Sequence, residues 1–501
     1  MEKKQSDGQQ IVNVLKMLFP GVAFFYILLY LFVALSRMTY PFELEWMEGA
    51  SVIHVKRILE AQALYSRPTI EFSPFFYPPL YFYLSAFFSM ILGLGFLPLR
   101  MVSFLSSLGI FIIIYVWVKE ETHDKGAGII AAGLFSATFG LSGFWFDIAR
   151  VDSLFLFFSL MAIYLIKLRT SPRSFILAGM FFSLSYLTKQ TALIFAVPIM
   201  IYILTCKRSL IFFFLVTTLV GIGGTTLLLH ILTRGWISYY LFYLPRNHEI
   251  IKENYIHFWT KDLLSSLFIA CGITLFYVIH ECLKKSRTNA LFYLLLLMGF
   301  LGGAYLSRLH VGGWLNVLIP AYAAIAILFG LGVQILGDYL KNENRSFKKM
   351  ILLILYIVCI LQFPILMYNP LSQIPTKEDR KAGESLIQIM KNREGDIFAP
   401  YHSYLPELAG KKSYMHVHSL FDISHGDRSQ VGQEFIENLT GAIKSRKFKA
   451  IFLDAPRITQ NFDKYYRLEK KLFDKNDVFW PVTGMKTRPE FIFVPRTQVK
   501  E

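Results

Sequence analysis

The sequence predicts a polytopic α-helical membrane protein that ends in a small C-terminal α/β domain, and three observations support this fold class. Of the 501 residues, 54% are hydrophobic and 16% are aromatic, which is unusual for a soluble domain. Apolar runs of roughly 16 to 24 residues recur along the chain, and about 20 such residues cross a bilayer as a helix. The composition becomes ordinary only after Asn369-Pro370.

Eleven apolar segments predict about 11 transmembrane helices in a domain that covers 17–368. A polar, basic N-terminal segment, 1–16, precedes them. The long apolar run after it lacks a small-residue cleavage site, so we predict an uncleaved first span. The four cysteines show neither a disulfide framework nor the spacing of a metal site. The segments are 17–36, 98–118, 128–146, 153–166, 174–188, 190–205, 210–232, 263–283, 290–306, 313–337 and 349–367.

Basic residues in alternate loops predict the orientation, because cytoplasmic loops of membrane proteins are rich in Lys and Arg. The net charge of +16 then reflects orientation and contact with anionic headgroups, and binding to nucleic acid is not expected. We predict a multi-pass protein of the plasma (inner) membrane whose C-terminal domain is extracytoplasmic. The residues that set this orientation are Lys3, Lys4, Lys16, Lys167, Arg169, Arg173, Lys207, Arg208, Lys284, Lys285, Arg287, Arg345, Lys348 and Lys349.

A long first outer loop, 38–97, follows from this orientation, because the apolar stretch 80–96 must then not cross the membrane. That stretch has about 17 residues, which is the lower limit for a span, and prolines and glycines bound it. We predict a helix that lies at the outer interface or dips into it. The segment 48–62 is predicted to be a second interfacial helix, since its apolar and charged residues separate onto two faces.

The C-terminal segment, 369–501, alternates helical and extended patterns. Residues 385–390 and 435–448 are predicted to be helical. Short apolar runs at 396–399, 450–453 and 491–494 are predicted to be strands. Strands separated by helices indicate a small α/β domain, and we find no catalytic motif in it.

Three carboxylates, Glu43, Glu45 and Glu48, stand within six residues just past the first span. Carboxylates are costly to place beside lipid and usually have a partner or a function there. One interpretation is an interfacial turn whose acids face water. The other is that one of the three is the general base of a membrane-embedded transferase.

Lys189 is predicted to lie slightly below the outer surface. The 33 residues between Arg173 and Lys207 must cross the membrane and return. Each leg then spans about 24 Å, which is short of a hydrocarbon core of about 30 Å. A lysine at that depth needs an anion unless it snorkels to the headgroups.

The predicted topology gathers more acids, bases and aromatic rings at the outer side, from the turn 147–152, the loop 233–262 and the turn 307–316. The rings suit either sugar stacking or anchoring at the interface. The whole set comprises Glu43, Glu45, Glu48, His54, Asp147, Arg150, Asp152, Lys189, Arg234, Trp236, Tyr239, Tyr240, Tyr243, Arg246, His248, Trp259, Arg308, His310 and Asn316.

Members of this set also have structural interpretations. Asp152 opens an apolar run and is placed as a helix N-cap would be. Arg308 and His310 are placed as interfacial anchors would be, and Trp236 with its neighbouring tyrosines as part of an aromatic belt. Gly312-Gly313 is consistent with a tight turn.

The chemistry that matches the set is glycosyl transfer from a lipid-phosphate sugar. An acceptor hydroxyl must lose a proton as it attacks, which requires a carboxylate base. The phosphate leaves with growing negative charge, which Lys and Arg donors stabilise. A long lipid tail explains a site at the bilayer surface. Such a donor is already activated, so no cofactor is predicted and a divalent metal is possible but not implied.

Short motifs along the outer side carry a resemblance to a known family. They are Glu45-Trp-Met-Glu48-Gly49, Gln62-Ala-Leu-Tyr65, Tyr77-Pro-Pro-Leu-Tyr81, Arg150-Val-Asp152-Ser-Leu-Phe155, Thr188-Lys189-Gln190 and Arg308-Leu-His310-Val-Gly-Gly313-Trp-Leu-Asn316. Together they resemble the GT-C superfamily of polyprenyl-phosphate-sugar-dependent glycosyltransferases, near its protein O-mannosyltransferase, aminoarabinose lipid A transferase and Rgt-like branches. The resemblance covers roughly 17–367 and implies a GT-C-like fold.

The resemblance also implies roles for these residues in an inverting, extracytoplasmic transfer to a lipid, glycan or protein acceptor. A first-loop acid would be the base, with Glu48 favoured slightly over Glu45. Many relatives carry adjacent Asp-Glu there, whereas Met47 precedes Glu48 in this chain. Asp152 would help to hold the acceptor. The expected phosphate ligands are Lys189, Arg308, His310 and Arg150, and the expected substrate contacts are Tyr77, Trp236, Tyr243, Arg246 and Asn316.

Three other functions compete with this interpretation. A transporter or lipid flippase would move its substrate without making a covalent product, but the predicted helix centres carry no Asp, Glu, Lys or Arg. An assembly protein would use the C-terminal domain as a binding module. An enzyme of the O-antigen ligase or polymerase type would use a pyrophosphate-linked donor and rely on arginines.

Overall fold

Helices make up most of the protein in its computed structural model, which describes residues 2–343, 345–427, 429–455 and 462–497. The membrane-domain helices are α1 Glu2–Arg37, α2 Glu48–Leu59, α3 Leu80–Leu92, α4 Phe96–Thr122, α5 Lys125–Ala137, α6 Asp152–Leu168, α7 Pro172–Thr188, α8 Ala192–Cys206, α9 Arg208–Leu232, α10 236–246, α11 Asn254–Leu283, α12 Thr288–Leu309, α13 Leu315–Asn342 and α14 Ser346–Ile365. The C-terminal elements are α15 Lys377–Lys391, β1 Ile397–Phe398, α16 Leu405–Leu408, α17 Val417–Gly426, α18 Gln430–Lys444, β2 Ala450–Leu453, α19 Phe462–Tyr465, β3 Tyr466–Lys471 and β4 Phe491–Pro495.

Each predicted apolar segment overlaps a helix, namely α1, α4–α9 and α11–α14. Within the described residues, 7 helices are long and apolar enough to cross a membrane, and these are α1, α4, α9 and α11–α14. The predicted segment 128–146 is helical only as far as Ala137. Gly143 and Phe144 adopt φ values of 67° and 62°, which a right-handed helix does not accommodate.

Helix α13 forms the centre of the membrane domain and is almost entirely buried. Its glycines allow neighbouring helices to approach closely. A Cβ atom on Gly330 would lie 2.7 Å from Cβ of Ala131 in α5, and one on Gly332 would lie 2.6 Å from Cγ2 of Ile273 in α11. Small residues therefore determine how α5 and α11 pack around α13.

The loops predicted to be extracytoplasmic meet at one end of the helical domain. The amide of Gln190 donates to the carbonyl of Phe76 at 2.9 Å, which joins the turn after α7 to the first loop. At the opposite end, Lys207 donates to the carbonyl of Arg169 at 2.8 Å. The predicted basic loops and the predicted outer loops thus segregate as the topology requires.

Helix α3 has 13 residues and a length of about 20 Å, which is too short for a hydrocarbon core of about 30 Å. It ends at Gly93, whose φ of 83° lies in the left-handed region that favours glycine. One face packs against α2 and α4, and the other exposes Tyr83, Phe87, Met90 and Ile91. This geometry fits the predicted interfacial helix.

The C-terminal domain contains a four-stranded sheet in the order β1-β2-β4-β3. β1 and β2 are parallel, and the remaining pairs are antiparallel. The predicted strands correspond to β1, β2 and β4. β3 was not predicted, because only its first residue, Tyr466, is buried and the edge strand is otherwise polar. The sheet and the apolar helices confirm the predicted fold class.

Candidate active site

Glu48 forms a buried ion pair with Arg100 at the start of α4. Nε of Arg100 donates to Oε1 at 3.0 Å, and Nη2 donates to Oε2 at 2.6 Å. The backbone N–H groups of Leu44 and Ala149 each donate to the same carboxylate at 2.7 Å. Burial alone would raise the pKa of Glu48, but Arg100 and these amides hold it below its usual range. Both oxygens are fully engaged, so Glu48 joins the first loop to the turn before α6.

Arg100 also organises the first loop. It donates to the carbonyl oxygens of Tyr40 and Phe42, at 2.6 Å each. Sequence reasoning missed Arg100, although a single arginine at the start of an apolar run is a visible signal.

Arg100→Ala is expected to destabilise the protein by about 3–5 kcal/mol, because it leaves the Glu48 carboxylate buried without its counter-charge. The measurement is the thermal unfolding midpoint of the full chain in detergent. Arg67→Ala is the control, since Arg67 pairs with Glu434 at the surface, where such pairs contribute about 1 kcal/mol or less. Equal shifts in the two variants would contradict the role given to Arg100.

Glu45 is also fully buried, but its carboxylate is only partly engaged. Oε2 accepts a hydrogen bond from the backbone N–H of Met47 at 3.2 Å, and Nη1 of Arg150 lies 3.8 Å away. Oε1 has no hydrogen-bond partner within the described part of the chain. Burial raises the pKa of Glu45 to about 8, with Arg150 partly opposing the rise. Glu45 thus has one carboxylate oxygen without a hydrogen bond, and the pKa of its carboxyl group lies near neutrality.

Arg150 lies between Glu45 and the aromatic side chains of the neighbouring loops. Its Nη2 donates to the hydroxyl of Tyr77 at 3.2 Å, and its guanidinium lies 4.9 Å from the ring centre of Trp145. Nη1 is buried without a hydrogen bond from the residues the structure describes. A buried cation with a free N–H group can bind an additional acceptor atom.

Asp152, Lys189 and Asn316, three of the predicted site residues, lie together. Nζ of Lys189 donates to Oδ1 of Asp152 at 2.7 Å, and the amide of Asn316 donates to the same oxygen at 2.9 Å. Oδ2 of Asp152 has no partner among the described residues. The anion predicted for Lys189 is therefore supplied by Asp152. The three side chains line a cleft together with Phe155, Thr191, Phe195, Gly303, Ser307, Val317, Ile319 and Pro320.

An apolar groove adjoins this cleft and shares Phe195 with it. The groove lies between α6, α8 and α12, and its lining is almost entirely hydrocarbon. Gly299 keeps it open, since a Cβ atom there would have Pro198 Cγ at 3.4 Å as its nearest neighbour. A cleft that contains Lys189, Asp152 and Asn316 beside an apolar groove suits an amphiphile with a small charged head.

Arg308 and His310 do not line the described cleft. Nε of Arg308 donates to Asp262 at 2.8 Å, and Nη1 donates to the carbonyl of Gly313 at 2.6 Å. His310 is exposed, and its backbone forms a bridge to Ile250. Their assignment as phosphate ligands stays a prediction.

The predicted aromatic contacts of the 233–262 loop lie toward the C-terminal domain. Tyr239 donates to Asp427 at 2.5 Å, and the Tyr243 hydroxyl lies 3.5 Å from the same carboxylate. The ring of Trp236 contacts Tyr239 at 5.4 Å between centres, and Arg246 is exposed. Their roles as substrate contacts stay predictions.

The C-terminal domain supplies buried ionisable residues that sequence reasoning missed. Nε2 of His418 lies 3.4 Å from Oδ2 of Asp422, and the His418 ring packs against Phe75 of the first loop. Burial lowers the pKa of His418 to about 3 and raises that of Asp422 well above its usual range. The closely spaced His416 and His418 were the available signal. Within the described ranges, no three His, Cys, Asp or Glu side chains are arranged to hold a metal ion.

The sequence and the structure of this chain were compared with those of known proteins. Residues 77–236 match the family described as dolichyl-phosphate-mannose-protein mannosyltransferase. No curated protein matches the chain by sequence. The ArnT structure from Cupriavidus metallidurans bound to undecaprenyl phosphate is similar at a TM-score of 0.58 and 11% identity, over 95% of this chain and 98% of that one.

A second similar structure is the archaeal oligosaccharyltransferase AglB from Archaeoglobus fulgidus, in complex with an inhibitory peptide and a dolichol-phosphate. Its TM-score is 0.54 at 12% identity, over 87% of this chain and 69% of that one. These matches confirm the resemblance drawn from the motifs. The family match covers residues 77–236, and the chain shares its overall fold with the ArnT and AglB structures.

Proposed function

We propose that this protein transfers a sugar, with inversion, from a polyprenyl-phosphate donor to an acceptor at the extracytoplasmic face of the inner membrane. The observation that carries the proposal is the polar cleft at Lys189, which adjoins an apolar groove between α6, α8 and α12. Undecaprenyl phosphate in the ArnT structure and dolichol-phosphate in the AglB structure are lipids of this shape. The distribution of basic loops supports the extracytoplasmic face.

The donor phosphate binds in the cleft. Lys189 supplies the positive charge, and Asn316, Thr191 and Ser307 supply neutral donors around it. The prenyl tail lies in the groove, where each buried CH₂ group contributes about 0.8 kcal/mol. Asp152 keeps Lys189 ordered when the donor is absent, and its second oxygen is free to accept a hydrogen bond from a sugar or acceptor hydroxyl.

Glu45 is the base that the geometry supports, in preference to Glu48. All contacts of Glu48 are structural, whereas Glu45 has a free oxygen and a pKa near neutrality. The acceptor oxygen attacks the anomeric carbon and its proton passes to Glu45. The bond from that carbon to the phosphate oxygen breaks, and its electron pair leaves with the polyprenyl phosphate. A single displacement of this kind inverts the anomeric centre.

Gly299→Leu is expected to lower the amount of polyprenyl phosphate that co-purifies with the protein by about tenfold, which corresponds to about 1.4 kcal/mol. The leucine side chain would fill the groove where the tail is placed. Mass spectrometry of lipids extracted from the purified protein provides the measurement.

Gly302→Leu is the matched control, because it lies in the same helix and a Cβ atom there has no neighbour within 4 Å. The groove would be the wrong location for the tail if both variants retained the lipid as the unmodified protein does. Recovery of bulk phospholipid alone from all three samples would contradict the donor class.

A further inference from the structure

The loop that carries the proposed base, 42–46, is held by the C-terminal domain along its whole length. The contacts are the ring of Phe42 with Phe479 at 5.2 Å, Glu43 with His402, the carbonyl of Leu44 with the N–H of Thr483 at 3.1 Å, and the carbonyl of Trp46 with Nε2 of His416 at 3.3 Å. Gly484 packs directly against Glu45, since a Cβ atom there would lie 2.8 Å from Cγ of Glu45.

Among the described residues, His402 makes the only charged contact between this loop and the C-terminal domain. Its Nδ1 faces the carboxylate of Glu43, and its Nε2 lies 3.1 Å from Oδ2 of Asp454 at the end of β2. All three side chains are at most 10% exposed. Burial disfavours the charged imidazole, but Asp454 and Glu43 outweigh it and raise the pKa of His402 to about 10. Burial also raises the pKa of Glu43, and His402 opposes that rise. The ring therefore holds its proton at neutral pH, and each of its nitrogens faces an acidic side chain.

The contact reaches the proposed base through Glu43. Glu43 stands two residues before Glu45, and its other oxygen lies against Gly49 in the first turn of α2. On the opposite side, Arg100 fixes Glu48 and the carbonyl of Phe42. The backbone around Glu45 is thus fixed by an arginine from the membrane domain and by an imidazolium from the C-terminal domain.

We infer that His402 is a positioning residue, which acts through Glu43 to keep Glu45 in its water-excluded place, and that the C-terminal domain is therefore part of the transferase site. This inference rests on the proposed function. It gives the domain a role in the chemical step, in place of the separate binding module that the sequence left open.

His402→Gln is the test, with His425→Gln as control because His425 is exposed in α17 of the same domain. In the full-length protein in detergent, hydrogen–deuterium exchange of a peptide covering 42–49 should be at least about tenfold faster in His402→Gln and unchanged in the control. The plateau transfer rate should fall about 10- to 100-fold. The dissociation constant for polyprenyl phosphate should change less than about twofold, because the cleft at Lys189 has no described contact with His402.

The pH dependence separates positioning from loss of folded protein. Looser packing admits water to Glu45, so the acid-side midpoint of the rate profile should move from about 8 toward the ordinary value of 4.5. A smaller folded fraction lowers the rate at every pH and leaves the midpoint in place. A lowered rate with an unmoved midpoint, or unchanged exchange at 42–49, would overturn the inference.

Two further variants keep the outcomes distinct. If His402→Gln does not fold, Asp454→Asn takes its place as the test. It retains the contact between His402 and Glu43, so the changes in exchange and in midpoint should have the same direction and a smaller size. Full activity of Glu45→Gln would refute the base assignment of the proposed function. Exchange at 42–49 would still decide whether His402 fixes the loop, because it does not depend on turnover.

Discussion

Glu45→Gln is expected to lower the transfer rate by about 10²- to 10⁴-fold, because glutamine cannot accept the proton of the acceptor hydroxyl. Binding of polyprenyl phosphate should be unchanged, since Glu45 does not line the cleft at Lys189. The measurement is product formation by the purified protein, supplied with the sugar-loaded lipid identified by mass spectrometry. The pH dependence of the transfer rate provides a second test of Glu45.

The rate of the unmodified protein should rise with pH through about 8, because only the ionised form of Glu45 accepts a proton. Arg150 favours this ionised form, while Glu48 and Glu43 oppose it. Glu48→Gln is the matched control, and it should lower the thermal unfolding midpoint because it weakens the pair with Arg100. Loss of activity in Glu48→Gln with normal unfolding, together with an active Glu45→Gln, would restore Glu48 as the base.

Lys189→Ala is expected to weaken polyprenyl-phosphate binding by at least about 10- to 150-fold, which is the loss of one charge-assisted hydrogen bond of about 1.5–3 kcal/mol. The change also leaves Asp152 without its cation, and its negative charge would then repel the phosphate. Lys189→Ala/Asp152→Asn should therefore bind the lipid better than the single variant does. Titration of the purified protein with polyprenyl phosphate measures both effects.

The control for Lys189 is Lys207→Ala, a change of the same kind at the opposite end of the helical domain. Lys207 donates to the carbonyls of Lys167 and Arg169 and is not among the described residues that line the cleft. Its substitution should leave lipid affinity unchanged. Equal losses in the two lysine variants would indicate a general effect of charge and would remove Lys189 from the donor site.

Part of this site was predictable because span lengths determine where turns lie. The 33 residues between Arg173 and Lys207 predicted Lys189 in a turn below the outer surface with a need for an anion, and the structure pairs it with Asp152. The predicted topology placed Asn316 on the same side of the membrane, but its contact with the Asp152 carboxylate was not predicted. The lengths of the apolar segments and the positions of the basic loops were sufficient to place Lys189 and Asn316 on the same side of the membrane domain.

The choice between Glu45 and Glu48 was not predictable, because it depends on partners distant in sequence. Arg100 lies 52 residues from Glu48, and only the folded chain shows that it engages that carboxylate and leaves an oxygen of Glu45 free. The same holds for His402, which contacts Glu43 across 359 residues. Nothing in a single sequence marks such pairs.

The complete burial of Glu45 behind Gly484 bears on how the proposed transferase would avoid hydrolysing its donor. A carboxylate that accepts a proton from an acceptor hydroxyl accepts one equally well from water, and the outcome would be hydrolysis of the sugar phosphate. Excluding water from the base suppresses this side reaction. Selectivity for the acceptor over water thus exists before the acceptor binds, because water has no access to Glu45 in the empty site.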